Sequence, residues 1–192
     1  HRDLHSCPTR RSSDLVVVTA LVCILWGAGV TSAYNLIDGV NGLCLSLFIA
    51  SSSGLAFLGA VPVGVTLAAM ALGVLCWNFP WAQTFLGDGG STLLGYIFAV
   101  HFLTAAAPTL RTVGPHELIL LLLLFGGVPV LDTMIAFVRR ILRGKSPFYP
   151  DKGHLHHRLM HLTGSPFWAV VCLWLMQSAF LAGGIAVYGR LS

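Results

Sequence analysis

Residues 15–33 read LVVVTALVCILWGAGVTSA, a run without a charged side chain. An α-helix rises 1.5 Å per residue, so about 20 apolar residues cross the hydrocarbon core of a bilayer. Backbone polar groups inside that core must be satisfied within the segment, which leaves the helix as the natural form for one such run. The pattern recurs at residues 43–60, 62–77, 92–107, 116–138 and 167–188, the fifth run being interrupted by Gly126, Gly127 and Pro129. The whole 192-residue chain is 56% hydrophobic and 9% charged, with a mean hydropathy of +0.81. Soluble domains carry about 25% charged residues, so too few charges are present to clothe a water-facing surface. The expected fold is all-α: a polytopic membrane helix bundle with about six transmembrane helices over residues 15–192.

Residues 1–14 do not fit that pattern. They are polar, contain Pro8, Arg10 and Arg11, and show no apolar period. No short apolar core stands before a small-residue cleavage site, so they do not form a secretory signal. They resemble a translated adapter sequence and are expected to be a non-native or disordered leader.

The net charge of +4 is unevenly placed: six of the eleven Lys and Arg lie between Arg139 and Arg158. That is a loop feature rather than the footprint of a nucleic-acid protein, and no nucleic-acid partner is expected. The five cysteines are isolated, without a CxxC pair. They read as small hydrophobes rather than a disulfide framework or a zinc site.

Six spans alternate sides of the membrane. By parity, the polar passages around Asn35, Asp88 and His154 fall on one side. The short turn at Gly59, the loop at Arg111 and the C-terminus fall on the other. The first side carries the basic loop, and positive residues stay cytoplasmic. A multi-pass membrane protein, with all three passages facing the cytoplasm, is the expected topology.

Each passage has a functional and a plainer reading. In Gly87-Asp88-Gly89-Gly90-Ser91, glycines allow close approach of a ligand to the backbone, and a helix start offers N–H groups to an anion. Asp88 suits a hard cation such as Mg²⁺. An ordinary capped helix start explains the same residues. Asn35, Asp38 and Asn41 are spaced three apart, which on a helical turn places them on one face. They suit Mg²⁺ or a ribose or base, but Asp-Gly and Asn-Gly are also turn dipeptides. His154, His157 and His161 are spaced to align on one side of a helix, with Arg158 adjacent. Arginine and histidine suit phosphate oxygens; a transition-metal site and a solvated basic loop are the other readings. Asp132 sits in an apolar span, where a carboxylate is a functional candidate. A helix-end ion pair with Arg139 or Arg140 fits it equally.

The passages Asn35-Leu36-Ile37-Asp38-Gly39-Val40-Asn41-Gly42-Leu43, Phe85-Leu86-Gly87-Asp88-Gly89-Gly90-Ser91 and Asp151-Lys152-Gly153-His154-Leu155-His156-His157-Arg158-Leu159 resemble, in order and spacing, the polyprenyl-phosphate N-acetylhexosamine-1-phosphate transferases of glycosyltransferase family 4. The run Pro129-Val130-Leu131-Asp132-Thr133 fits as well. The His-Leu-His-His-Arg form is similar to the branch using UDP-N-acetylglucosamine or a related UDP-sugar. It is less similar to the UDP-muramoyl-pentapeptide branch, which carries three successive histidines.

The resemblance implies a reaction in which an oxygen of undecaprenyl phosphate attacks the β-phosphorus of a UDP-sugar. UMP leaves and a lipid-diphosphate-sugar remains, for use in cell-envelope polysaccharide synthesis such as lipopolysaccharide or cell-wall assembly. It implies Mg²⁺, with Mn²⁺ as a substitute, held through Asp88 and Asn35. It implies Asp88, Asp38, His154, His156, His157 and Arg158 as the catalytic set. Asn78, Phe85, Asn41 and Lys152 would bind substrate, Phe85 by stacking on uracil. Partners would be the UDP-sugar, the polyprenyl phosphate and the membrane, with a homodimer among the assemblies admitted.

One departure stands out. Members of the family carry further spans and an aspartate-rich passage on an earlier cytoplasmic loop, and no adjacent Asp pair occurs here. A truncated chain, inactive by itself, is the expectation. The rival from another class is a membrane transporter for a divalent metal, using Asp88, Asp132 and the histidines. Transporter sites lie near the bilayer midplane on broken helices, and Gly126-Gly127 with Pro129 is the feature that suits one.

Overall fold

The computed structural model describes residues 9–144, 146 and 153–192. Every regular element among them is a helix: α1 (Thr9–Ile37), α2 (Leu43–Phe57), α3 (Val61–Asn78), α4 (Gly87–Leu110), α5 (Pro115–Leu142), α6 (Leu155–Thr163) and α7 (Pro166–Leu191). Five of these, α1, α3, α4, α5 and α7, are long and apolar enough to cross a membrane. The remaining apolar helix, α2, has 15 residues, about 22 Å at the helical rise. It is enclosed along most of its length, so it meets protein where the others meet lipid. The polytopic all-α bundle is therefore the observed architecture.

Several boundaries differ from the sequence expectation. Helix α1 starts at Thr9, so the leader boundary at residue 14 falls inside a helix. The Gly87–Ser91 passage is the first turn of α4 rather than loop, and α4 runs through Pro108 to Leu110. Helix α5 continues past residue 138 and carries Arg139 and Arg140 in its last turn. Proline opens α5 and α7 and stands in the first turn of α3. There its missing N–H is no loss, and its fixed φ favours the helix.

Small residues and aromatics hold the bundle. Helices α1 and α4 run antiparallel, and a β-carbon on Gly95 would come within 2.9 Å of the Thr31 backbone and the Tyr34 side chain. Glycine at that contact lets the two helices approach closely, as small residues do between membrane helices. Further along, the Trp26 and Phe102 rings meet at 5.3 Å, and Phe102 meets Phe125 of α5 at 4.9 Å. Each such ring pair contributes about 1 kcal/mol beyond its buried area. Large apolar side chains of α3, including Val65, Met70, Leu72 and Trp77, are exposed and suit a lipid surface. Of the cysteines, Cys44 is buried, Cys23 and Cys172 are half-buried, and Cys76 is exposed on α3; all four are free thiols.

Helix α5 is broken in the middle. Gly127 has φ 54 and ψ −140, a conformation open to glycine, and Pro129 follows. The break frees the Val128 N–H, which donates to Gln177 Oε1 of α7 at 2.8 Å. Gln177 Nε2 donates to Ser51 Oγ of α2 at 3.0 Å, and the Tyr34 hydroxyl of α1 donates to the same oxygen at 2.9 Å. Four helices thus share one buried chain of neutral hydrogen bonds, as required where no water can repair a broken helix.

Candidate functional site

The loop after α1 is the hub of the site. Helix α1 ends at Ile37, so only Asn35 of the Asn35–Asp38–Asn41 trio is helical, and of its two readings the turn holds rather than the single helical face. The early end follows from the Asp-Gly and Asn-Gly pairs, which favour turns over helix. Asn35 Nδ2 donates to Ser91 Oγ in the first turn of α4 at 3.1 Å. On the other side, Gly39 lies so close to α6 that an added β-carbon would sit 2.8 Å from His156 Nε2. The three polar passages therefore meet at one end of the bundle, joined through residues 35–42.

Asp38 is half-buried and Asp88 exposed. Burial pushes the Asp38 carboxyl above its ordinary range, and the negative charge of Asp88 adds to that shift. Asp38, three residues after Asn35, and Asp88, three residues before Ser91, flank the Asn35–Ser91 bond and give an oxygen-rich corner. Mg²⁺ is held through one or two carboxylates together with substrate phosphates and waters, rather than by a complete protein cage. The donor set fits that use; among the described residues no group of three or more His, Cys, Asp or Glu is placed to hold a metal by itself.

Asn78 and Phe85 are placed very differently. Asn78 is buried at the end of α3; its Oδ1 accepts the Gly42 N–H at 2.6 Å and its Nδ2 donates to the Thr84 carbonyl at 2.7 Å. Its amide ties the 35–42 loop to the loop before α4. Phe85, 77% exposed, presents its ring to the outside next to that clamp. Asn41 is exposed and lines a cavity of about 590 Å³ that also touches Gly39, Trp81, Met160 and Phe167. Trp81 escaped the sequence reading; a tryptophan in a polar loop beside Pro80 was its only signal.

Of the three histidines whose spacing predicted alignment, His157 and His161 lie four apart on one helix and His154 does not belong to it. Helix α6 begins at Leu155, and His154 stands before it with extended backbone. The inward pair is His154 and His156, 6% and 2% exposed, with rings stacked at 5.8 Å and 7°. His157 is half-buried and meets the His156 ring at 4.2 Å. Arg158 and His161 are exposed and line a separate groove with Met176 of α7. Among the described residues His156 Nδ1 has no hydrogen-bond partner. Burial, then the His157 neighbour, push the His156 imidazole down to about 4. Lys152 lies outside the described residues.

Asp132 is a residue the sequence flagged without a role. It is 4% exposed on α5, just beyond the break. Its Oδ2 is 3.0 Å from His154 Nδ1, and its Oδ1 accepts the Leu155 N–H at 2.9 Å. Both oxygens are thus engaged by the histidine passage rather than by Arg139 or Arg140, the ion pair that fitted the sequence equally well. The Leu155 bond also caps α6, which such a cap stabilises by about 1 kcal/mol.

Residues 3–106 match Glycosyl transferase family 4. The chain belongs to glycosyl transferase family 4. It is 33% identical over 171 residues to the "Probable undecaprenyl-phosphate N-acetylglucosaminyl 1-phosphate transferase" of Bacillus subtilis (strain 168), covering 85% of this chain and 47% of that protein. It is 32% identical to the decaprenyl-phosphate N-acetylglucosaminephosphotransferase of Mycolicibacterium smegmatis, over 92% of this chain and 47% of the relative. It is 27% identical to the undecaprenyl-phosphate alpha-N-acetylglucosaminyl 1-phosphate transferase of Escherichia coli (strain K12), over 84% and 45%. The chain spans about half the length of the curated relatives it matches. Within this chain, the hub at residues 35–42 is the part of the molecule where the three polar passages converge.

Proposed function

We propose that this protein transfers an N-acetylhexosamine 1-phosphate, GlcNAc-1-phosphate or a close relative, from a UDP-sugar to a polyprenyl phosphate. An acceptor phosphate oxygen bonds to the β-phosphorus, the bond between that phosphorus and the bridging oxygen breaks, and UMP leaves with that oxygen. The printed names of the relatives support the sugar phosphate and the polyprenyl acceptor. The observation that carries the reading is the meeting of the oxygen-rich corner and the histidine passage across Gly39.

Phosphoryl transfer asks for charge neutralisation and alignment more than for covalent help from the protein. Asp38, Asp88 and Asn35 would hold Mg²⁺ (or Mn²⁺ in its place), which supplies positive charge to the diphosphate when bound. Phe85 offers a ring for the base, and Asn41 lines the cavity that Trp81 and Phe167 share. His154, His156 and His157 stand across the loop, where phosphate or sugar oxygens would lie. Arg158 faces elsewhere, so its share is contact with a more distant part of a substrate. The concentration of six basic residues between Arg139 and Arg158 supports a cytoplasmic site in a bacterial plasma membrane.

A divalent-metal transporter is disfavoured by the same geometry. The carboxylates Asp38 and Asp88 sit at one end of the bundle, and the network near the middle of α5 and α7 consists of neutral, bonded groups. The test is thermal unfolding of the purified protein with UDP-GlcNAc and UMP, with Mg²⁺ or with chelator. Mg²⁺-dependent protection by the nucleotides is expected. Protection by metal alone, with no nucleotide effect, would overturn the transferase reading.

A further inference from the structure

We infer that Asp132 is a positioning residue acting through His154: it fixes that imidazole with its hydrogen on Nδ1 and leaves Nε2 to meet the diphosphate of the substrate proposed above. The inference rests on that reading for its ligand, but its geometric half stands on the Asp132–His154 contact alone.

One carboxylate holds two consecutive residues. Oδ2 lies 3.0 Å from His154 Nδ1, and Oδ1 accepts the Leu155 N–H at 2.9 Å. Rotation of the ring or of the carboxylate breaks one of these bonds, and both side chains are buried. A carboxylate only accepts, so Nδ1 carries the hydrogen and Nε2 is the polar atom left to the ring. Histidines that act on a charged ligand are commonly oriented in this way, through a hydrogen bond from the other ring nitrogen.

The same carboxylate occupies the start of α6. An anion at that end already satisfies the Leu155 amide, so this helix meets a phosphate through its side chains. His156, the second buried histidine, has no comparable partner: its Nδ1 is unpaired among the described residues and its Nε2 faces Gly39. Of the two stacked rings, His154 is the one with an orienting group.

Asp132 is itself placed by the break in α5. The Val128 N–H freed at Gly127 is held by Gln177, and Asp132 follows one helical turn later. The intramembrane network therefore sets where the carboxylate stands, and the carboxylate sets His154.

The experiment is nitrogen NMR of the ¹⁵N-histidine-labelled 192-residue chain in lipid nanodiscs, with His154 assigned by loss of its signals in His154→Gln. The expected neutral form of His154 has hydrogen on Nδ1. Addition of inorganic pyrophosphate or UMP with Mg²⁺ is expected to shift its Nε2 signal. Asp132→Asn is expected to mix the tautomers and weaken pyrophosphate binding about tenfold, and Asp132→Glu to restore the tautomer in part. If Asp132→Asn fails to fold, the wild-type spectrum still decides. Hydrogen on Nε2 in the wild type overturns the inference. So does a response of His156 or His157 without His154, which leaves the diphosphate reading intact. Silence of every histidine towards both probes removes the diphosphate reading, and the inference falls with it.

Discussion

Gly39 and His156 touch so closely that a single methyl group does not fit between them: a β-carbon on Gly39 would lie 2.8 Å from Nε2 and 3.3 Å from Cε1. The contact joins a turn between α1 and α2 to a helix more than a hundred residues later. It decides whether the carboxylates and the histidines belong to one site.

Gly39→Ala is therefore expected to push α6 away from the loop. His156 is buried and its ring has no flexible end to give way, so the cost is that of overpacking, about 1–3 kcal/mol. Thermal unfolding in detergent checks the stability, and nucleotide protection checks the site. A variant with unchanged unfolding and unchanged protection would show that the contact is slack.

Asn78 and Phe85 should separate stability from binding. Asn78→Ala strands the Gly42 N–H and frees the Thr84 carbonyl, for a loss of about 1–3 kcal/mol. Phe85→Ala removes an exposed ring and is expected to leave unfolding nearly unchanged while weakening UMP binding. Calorimetric titration with UMP, paired with a melting curve for each variant, distinguishes the two roles. Equal losses of stability in both would contradict the assignment.

His156 gives the fold a pH dependence with a definite sign. Its folded imidazole is pushed down to about 4 from the ordinary 6.5, by burial first, then by His157, with Asp132 opposing and His154 adding a little. Between those two values the unfolded chain binds a proton that the folded chain refuses. Stability is thus fully present above about 6.5 and falls as pH drops towards 4, by at most about 1.4 kcal/mol per unit. Chemical denaturation at several pH values measures the slope, and His156→Gln is expected to flatten it. An unchanged slope in that variant would place the titrating group elsewhere.

Asp38 and Asp88 repel each other when no cation is near. Burial and the Asp88 charge both raise the Asp38 carboxyl, so its ionised form works against the folded state as pH rises through that raised value. Asp38→Asn should raise the melting temperature of metal-free protein slightly at neutral pH. It should also abolish the stabilisation given by Mg²⁺ with UMP, as should Asp88→Asn. Retention of the Mg²⁺ effect in both variants would place the cation away from this corner.

Much of this molecule could be read along the chain. Apolar runs of the right length announce membrane helices wherever they occur, because the bilayer offers no partner for a free backbone amide. Counting those runs also put Asn35, Asp88 and His154 at one end. Spacing was a poorer guide inside the polar passages. Spacing left Asn35, Asp38 and Asn41 open between a common helical face and a turn, and glycine and asparagine end α1 at Ile37. His157 and His161 lie four apart on α6 as their spacing predicted, but His154 precedes the helix and His156 turns inward. Side chains there answer to contacts from other helices rather than to a local period.

The chain alone determined that helices cross a membrane and that three polar passages share an end, since both follow from local hydropathy and from alternation. Only the tertiary structure decided which polar atoms meet: Gly39 against His156, Asn35 with Ser91, Asp132 with His154. Those pairs span 56 residues in one case and 22 in another. They depend on the break at Gly127 and on how α1, α4, α5 and α6 pack, and no periodicity within one segment encodes a distance to another.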